Sequence, residues 1–467
     1  MLFNSFEFLL FFAAVFLIYW RLPHRGQNLL LLAASLFFYG VWNSRLLLVL
    51  VAAASIDYVC ALAMERAASE RRRRTILVAS LVSSLSILAY FKYAEFFVTN
   101  LVDLLQGLGV SVWRPTLDIV LPVGISFHTF QAMSYAVDVY RREQRPVRNY
   151  LDYLLYISFF PQLVAGPIER AARLLPQVER ARPALNLGRA LEGVKLLVIG
   201  YLQKVAIADV LAPTVDRAFA HPEELGTLGL LAGLYAFAFQ IYCDFAGYSN
   251  IARGLARLLG FELMRNFAQP YLSTNITEFW RRWHISLSTW LRDYLYIPLG
   301  GNRRGERRTY VNLLTTMLLG GLWHGASWTF VMWGGLHGAY LAVHKALLGR
   351  ARPAPRGARA LLGGLVTFHL VCLAWVFFRA ETFGAARAYL AGFLRWDGAP
   401  GWGEYEVLAY CALALALDAV LERRGRRRFA ALFARHWALE TAVLAALVAF
   451  TLFVGENHVL PFVYFQF

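Results

Sequence analysis

Between Thr309 and His344 the chain has 36 residues without a single Asp, Glu, Lys or Arg, yet His324 sits among them, 15 residues from one end and 20 from the other. Ionisable groups at membrane depth are costly and mark functional sites by default. Gly320 and Gly321 just before it can break a helix and let backbone or substrate come close, and Trp323, Gly325 and Trp328 surround it. Position alone leaves two readings open, a catalytic base and a neutral histidine hydrogen-bonded inside a helix bundle. His284, 40 residues earlier, reads by spacing as an interfacial histidine. His337 and His344, seven apart, share one helix face and read as structural. His128 in LPVGISFHTF and His369 are further buried candidates. Lys204 and Asp244 read as satisfied by pairing or by interfacial placement.

Other chemistries fit these residues poorly. The sequence has no HExxH zinc motif, no GxSxG elbow and no Walker lysine motif. Its histidines lack the clustered spacing that an iron or zinc membrane enzyme requires, so no metal is expected. One intramembrane base with a second histidine suits acyl transfer from a thioester, in which the base removes a hydroxyl proton as the alcohol attacks the carbonyl. Desolvation disfavours the charged imidazole and keeps such a base available.

The elements that must position these groups are membrane helices. Of 467 residues, 58% are hydrophobic and 16% charged, against about 45–50% and 25% in soluble chains. Apolar runs occupy 3–20, 28–42, 46–64, 75–95, 118–140, 150–166, 191–212, 226–246, 309–323, 326–346, 360–379, 405–421 and 437–455. At roughly 20 residues per crossing, about eleven of these cross fully. The segment Tyr150–Ile168, with Pro161, Gly166 and Pro167, reads as a re-entrant or broken helix, tolerable at depth only inside protein.

The net charge of +16 is gathered in short loops, Arg71–Arg74, Arg141–Arg148, Arg303–Arg308, Arg350–Arg359 and Arg423–Arg428. That is the positive-inside pattern of cytoplasmic loops rather than a nucleic-acid surface. Arg21, His24 and Arg25 follow the first apolar run instead of preceding it, so that run reads as a retained span with its N-terminus outside. The four cysteines, Cys60, Cys243, Cys372 and Cys411, lie in apolar surroundings without CxxC spacing and read as core residues.

Residues 247–308 form a polar region inside this single membrane-embedded domain of residues 1–467, and read as a cytoplasmic amphipathic or re-entrant insertion. Asn275 and Glu278 have the spacing of a helix-capping pair. Beyond them Trp280, Trp283, Leu287, Trp290 and Leu291 fall on one face of a helix, and Arg281, Arg282, Ser288, Thr289 and Arg292 on the other. This predicts one interfacial helix over 277–292 with His284 at the edge of its apolar face.

Several long stretches resemble the membrane-bound O-acyltransferase family, and within it the bacterial alginate O-acetylase branch. They are MLFNSFEFLLFF, LPVGISFHTFQAMSYAVDVYR, FFPQLVAGPIER, the run from FQIYCDFAGYSN through RRWHISLSTWLRDYLYIPLGGNR, LLGGLWHGASWTFVMWGGLHG, and the closing PFVYFQF. The resemblance implies an all-α polytopic fold, a ring of tilted transmembrane helices with re-entrant segments around a central tunnel. It places the family's essential WHG histidine on His324 and its second histidine on His284, with Asn275, Arg281, Trp283 and Trp323 as substrate-contacting candidates.

The activity it implies is transfer of an acyl group, acetyl being the expectation, from a cytoplasmic thioester such as acetyl-coenzyme A to an extracytoplasmic hydroxyl. The expected site is a bacterial inner membrane, with no bound cofactor and no nucleic acid. Expected partners are the bilayer, a polysaccharide acceptor and an extracytoplasmic acetylase-type protein. D-alanyl, peptidoglycan or cellulose acyl transfer by the same fold is the alternative. A polysaccharide transporter is disfavoured because no repeated halves are evident. A third reading is a structural subunit that recruits a separate acetylase.

Overall fold

The computed structural model describes residues 1–163, 166–348, 356–398, 401–424, 437–455 and 460–462, and the regular elements among them are helices. Positions 164–165 of FFPQLVAGPIER, 350–355 and 425–428 of two arginine-rich loops, and 463–467 of the closing motif lie outside the described residues. Two compact units are formed, Met1–Gly193 with Leu255–Met264, and Val194–Gly254 with Arg265–Phe467. Among the described residues, Ser44–Arg66, Glu70–Gly107, Thr227–Leu258 and Ala358–Arg379 are long and apolar enough to cross a bilayer, and Phe6–Tyr19 and Thr441–Val454 are shorter apolar helices. The chain is therefore a multi-pass membrane protein.

In the first unit, side-chain caps set the helix starts: Ser5 Oγ accepts from the Phe8 amide, and Asn43 Oδ1 from those of Arg45 and Leu46. Phe3, Phe8, Phe38 and Phe160 pack together, with Phe3 and Phe8 centroids 4.8 Å apart. The expected break in 150–168 is present. Tyr150–Ser158 and Phe160–Leu163 are separate helices, and residues 153–163 are buried throughout. A buried break must satisfy its backbone. Here the Phe160 amide donates to Ser35 Oγ at 3.0 Å, and the Tyr156 carbonyl accepts from Gln131 Nε2 at 2.8 Å and Gln162 Nε2 at 2.7 Å. Two apolar runs have different limits from those expected. The run at 118–140 becomes helical only at Ile125, because Pro115 and Pro122 favour extended backbone before it. The run at 75–95 belongs to one longer helix, Glu70–Gly107, with a π-helical turn at Ala89–Tyr93.

The second unit is organised on the Thr227–Leu258 helix, 83% of whose apolar window is buried, against 22–39% for the other three long helices. This helix continues through 247–258, which the sequence assigned to the polar insertion. Its Asp244 lies 2.7 Å from Lys204 Nζ, and Asp209 lies at the same distance from that nitrogen. Of the two readings for Lys204 and Asp244, pairing is the one present, and each is a partner of the other, with both residues 1% exposed.

Glu306–His324 and Trp328–Leu348 pack as a tight antiparallel pair. Gly320 and Gly321 do not break the first helix, which runs unbroken to His324. The close backbone approach expected there is present at Gly321: a Cβ would lie 2.2 Å from the Phe330 carbonyl oxygen, and one at Gly334 would lie 2.2 Å from that of Met317. We expect Gly321→Ala to destabilise the fold by about 1–3 kcal/mol, seen as a lower thermal midpoint in detergent. Gly107→Ala, whose Cβ meets nothing within 4 Å, should cause no loss.

Candidate active site

The Glu306–His324 helix ends on its histidine, and Gly325 turns into extended backbone. A Cβ at Gly325 would lie 2.1 Å from the Phe330 ring, so the small residue after the histidine is required by packing. His324 is 4% exposed. Its ring sits 5.0 Å from Trp323, 5.0 Å from Trp333 and 5.3 Å from Phe378, each pair close to perpendicular. Trp333 in turn stacks on Trp375 at 5.7 Å, and Phe378 packs on Phe330 at 4.8 Å. Three helices, Glu306–His324, Trp328–Leu348 and Ala358–Arg379, therefore supply one aromatic cage around a single imidazole.

The interfacial helix expected over 277–292 is two short helices, Ile276–Arg282 and Ile285–Leu291. Between them Trp283 is extended, and His284 takes left-handed backbone at φ 40° and ψ 58°. The cause is a competing backbone partner in residues 266–268. The Ile285 amide donates to the Asn266 carbonyl at 2.8 Å, and the Ala268 amide donates to the Arg282 carbonyl at 2.9 Å. The Asn266 side chain adds to this, with Oδ1 accepting from Ser286 Oγ at 2.7 Å and Nδ2 donating to Ser249 Oγ at 3.0 Å. The capping expectation stands: Asn275 Oδ1 accepts from the Glu278 amide at 2.9 Å, and Glu278 reaches back to Thr274.

The bend carries His284 inward. Rather than lying at an interfacial edge it is 0% exposed, with its ring 4.6 Å from Phe245 and 6.2 Å from Trp323. Trp323 is a ring neighbour of both His284 and His324, so the structure brings the two histidines against one shared indole. Trp283 is buried against Phe267, Phe279 and Trp375, Asn275 is engaged as a helix cap, and Arg281 is exposed. Trp323 is the one member of that set that touches the His324 ring.

The remaining histidines separate clearly. His337 is 0% exposed and accepts at Nδ1 from Trp280 Nε1 at 3.3 Å, which leaves its proton on Nε2. His344 Nδ1 lies 3.0 Å from Thr277 Oγ1. Both therefore touch the Ile276–Arg282 helix from one face of their own helix. His128 is buried in the first unit. His369 is exposed, contrary to expectation, because its face of the Ala358–Arg379 helix points away from the core; Tyr235 Oη lies 2.7 Å from its Nε2. Sequence reasoning missed Trp333 and Phe378. Their only signal was aromatic spacing, Trp333 nine residues beyond His324 and Trp375–Phe378 three apart on one helix face.

Residues 134–386 match the model of the MBOAT, membrane-bound O-acyltransferase, family. The chain is 45% identical over 399 residues to "Probable alginate O-acetylase AlgI" of Azotobacter vinelandii, covering 84% of this chain and 78% of that one. It is 37% identical over 432 residues to the peptidoglycan O-acetyltransferase of Helicobacter pylori, covering 85% and 80%. It is 28% identical over 287 residues to the teichoic acid D-alanyltransferase of Bacillus subtilis, covering 58% and 71%.

The left-handed backbone at position 284 separates ring from corner. Left-handed conformation costs an L-residue about 1–2 kcal/mol relative to glycine. His284→Gly should therefore unfold at a higher temperature than His284→Ala, although both lose the buried ring. Equal midpoints would show that the corner carries no strain.

Proposed function

The chain belongs to the membrane-bound O-acyltransferase family and is an O-acyltransferase, and from that premise we propose that it moves an acetyl group from cytoplasmic acetyl-coenzyme A to a hydroxyl of an exported, alginate-like polysaccharide, with His324 as the catalytic base. One observation carries this reading: the histidine of the WHG motif is buried at a helix end, in a cage supplied by three helices.

The chemistry balances within that cage. His324 takes the proton of the acceptor hydroxyl as its oxygen attacks the thioester carbonyl. The tetrahedral intermediate collapses, the carbon–sulfur bond breaks, and the imidazolium returns its proton to the leaving thiolate. The products are an ester and a free thiol. A variant of the same sequence has His324 carry the acyl group transiently before the hydroxyl attacks. His284, which shares Trp323 as a neighbour with His324, orients the donor or shuttles the proton. Exposed Arg281 meets the anionic groups of the donor, Trp323 lines the path between the two histidines, and Asn275 and Trp283 hold the 276–291 segment in place.

The surrounding architecture in this proposal is a ring of about eleven tilted crossings with re-entrant segments around a tunnel, within one membrane-embedded domain. Its basic loops face the cytoplasm of a bacterial inner membrane and its N-terminus faces outward. Donor and acceptor then reach His324 from opposite sides. An extracytoplasmic acetylase-type protein passes the group to the polymer, or the polymer takes it directly. Peptidoglycan is the second acceptor considered, because a peptidoglycan O-acetyltransferase is 37% identical over 85% of the chain.

We expect His324→Ala to lower acyl transfer by at least about 10²-fold, the lower end of general acid–base contributions, while the protein inserts and unfolds normally. His284→Ala and His284→Gly should both lose activity if the ring is needed. The measurement is the acetyl content of exported polymer by mass spectrometry, which also identifies the acceptor. Undiminished acetylation by His324→Ala would overturn the assignment.

A further inference from the structure

Within the first unit a cavity of about 310 Å³ opens between the segment at 176–189 and the turn at 257–262. Reciprocal hydrogen bonds clamp its walls. Gln177 Nε2 donates to the Glu262 carbonyl at 3.1 Å, and the Glu262 amide donates to Gln177 Oε1 at 2.7 Å. Four arginines line it, Arg180, Arg182, Arg189 and Arg257. Arg257 is neutralised by Glu192 and Glu262. Among the described residues no carboxylate lies within ion-pair distance of the other three, and Glu179 and Asp152 act on Arg180 and Arg182 only at longer range.

Arg182 is held in a fixed pose. Its guanidinium carbon lies 4.5 Å from the centre of the Phe261 ring, and one nitrogen donates to Asn28 Oδ1. Its Cβ and Cγ pass over Gly260, where a Cβ would approach both to 3.1 Å, and the φ of +84° there also favours glycine. The two remaining guanidinium nitrogens, Nε and Nη1, are buried without a hydrogen-bond partner. Buried charged donors are costly to leave unmade, and a planar guanidinium fixed by stacking is suited to phosphate.

The cavity also stands at one level of the chain. Trp20, the aromatic residue closing the first apolar helix, lies 3.6 Å from the Cβ position of Gly260 and donates to the Leu258 carbonyl at 3.2 Å. His24 Nε2 is 3.0 Å from the Val178 carbonyl oxygen. Tryptophan at a helix end beside clustered arginines marks a membrane interface on the basic side.

We propose that this cavity is a phosphate-ester site, accepting either the headgroup of an anionic phospholipid or a soluble phosphate ester. Its volume is at the lower end of small-ligand sites, roughly 300–1,000 Å³, so it holds a headgroup rather than a whole lipid. Arg182 with Arg180 and Arg189 neutralises the phosphate, and Pro176, Pro183 and Phe261 enclose the carbon skeleton.

The test uses the full chain in detergent, followed by native mass spectrometry with phosphatidylglycerol in one arm and adenosine 3′,5′-bisphosphate in the other. Arg180→Gln/Arg189→Gln leaves the Arg182 packing intact, and should weaken binding about 25-fold at roughly fivefold per basic group. Arg182→Gln should weaken it further, with Arg182→Lys recovering part of the loss. An exposed basic pair elsewhere in the unit, changed as Arg71→Gln/Arg72→Gln, should have no effect. Loss in the lipid arm assigns a headgroup, and loss in the nucleotide arm assigns a soluble ester. Unchanged binding in both arms, or an equal loss from the Arg71/Arg72 variant, overturns the proposal.

Discussion

The candidate site depends on the contact between two helices that meet backbone to backbone. Gly321 and Gly334 let Glu306–His324 and Trp328–Leu348 approach more closely than any Cβ would allow, and that approach sets Trp333 and Phe330 around the end of the first helix. His324 is presented at that end, and Gly325 lets the chain leave beneath the Phe330 ring. Move either helix outward by the width of a methyl group and the cage around the imidazole opens. A base for acyl transfer needs such fixed surroundings, because the reacting atoms must be held within a few tenths of an ångström.

The same economy of polar groups runs through the rest of the fold. A membrane chain has no water at depth to satisfy interrupted backbone. The break at Phe159 is satisfied by Ser35, Gln131 and Gln162, and the break at Trp283–His284 by Asn266 and Ala268. Lys204 is balanced by two carboxylates. Such irregular backbone, tolerated only where partners are built for it, lies where side chains must be aimed, and His284 is the example beside the candidate site.

Much of this was legible in the sequence, and the rest was hidden for identifiable reasons. A histidine amid 36 residues without Asp, Glu, Lys or Arg marked His324 without any structure. Paired prolines and glycine marked the broken helix near 160, and Asn275 with Glu278 marked a cap. The 277–292 stretch was misread because its amphipathic periodicity is real while its backbone is not continuous. The break is imposed by hydrogen bonds from Asn266 and Ala268, and pattern analysis of the local segment cannot register a partner that lies 14 to 19 residues earlier in the chain. Of the two roles read for the glycine pair, close backbone approach is present and a helix break is not, because glycine permits both and the choice rests on Phe330 and Gly334 in the facing helix. His369, a buried candidate by sequence, is exposed, because an apolar helix in a membrane chain does not distinguish the lipid face from the core.

The central claim is that an acyl thioester can place its reacting carbon against the His324 ring. Bromoacetyl-coenzyme A, incubated with the purified full chain, offers an alkylating carbon at that position. Peptide mapping should find the adduct on His324, and excess acetyl-coenzyme A should suppress it. Alkylation confined to other residues, with His324 unmodified, would contradict the account.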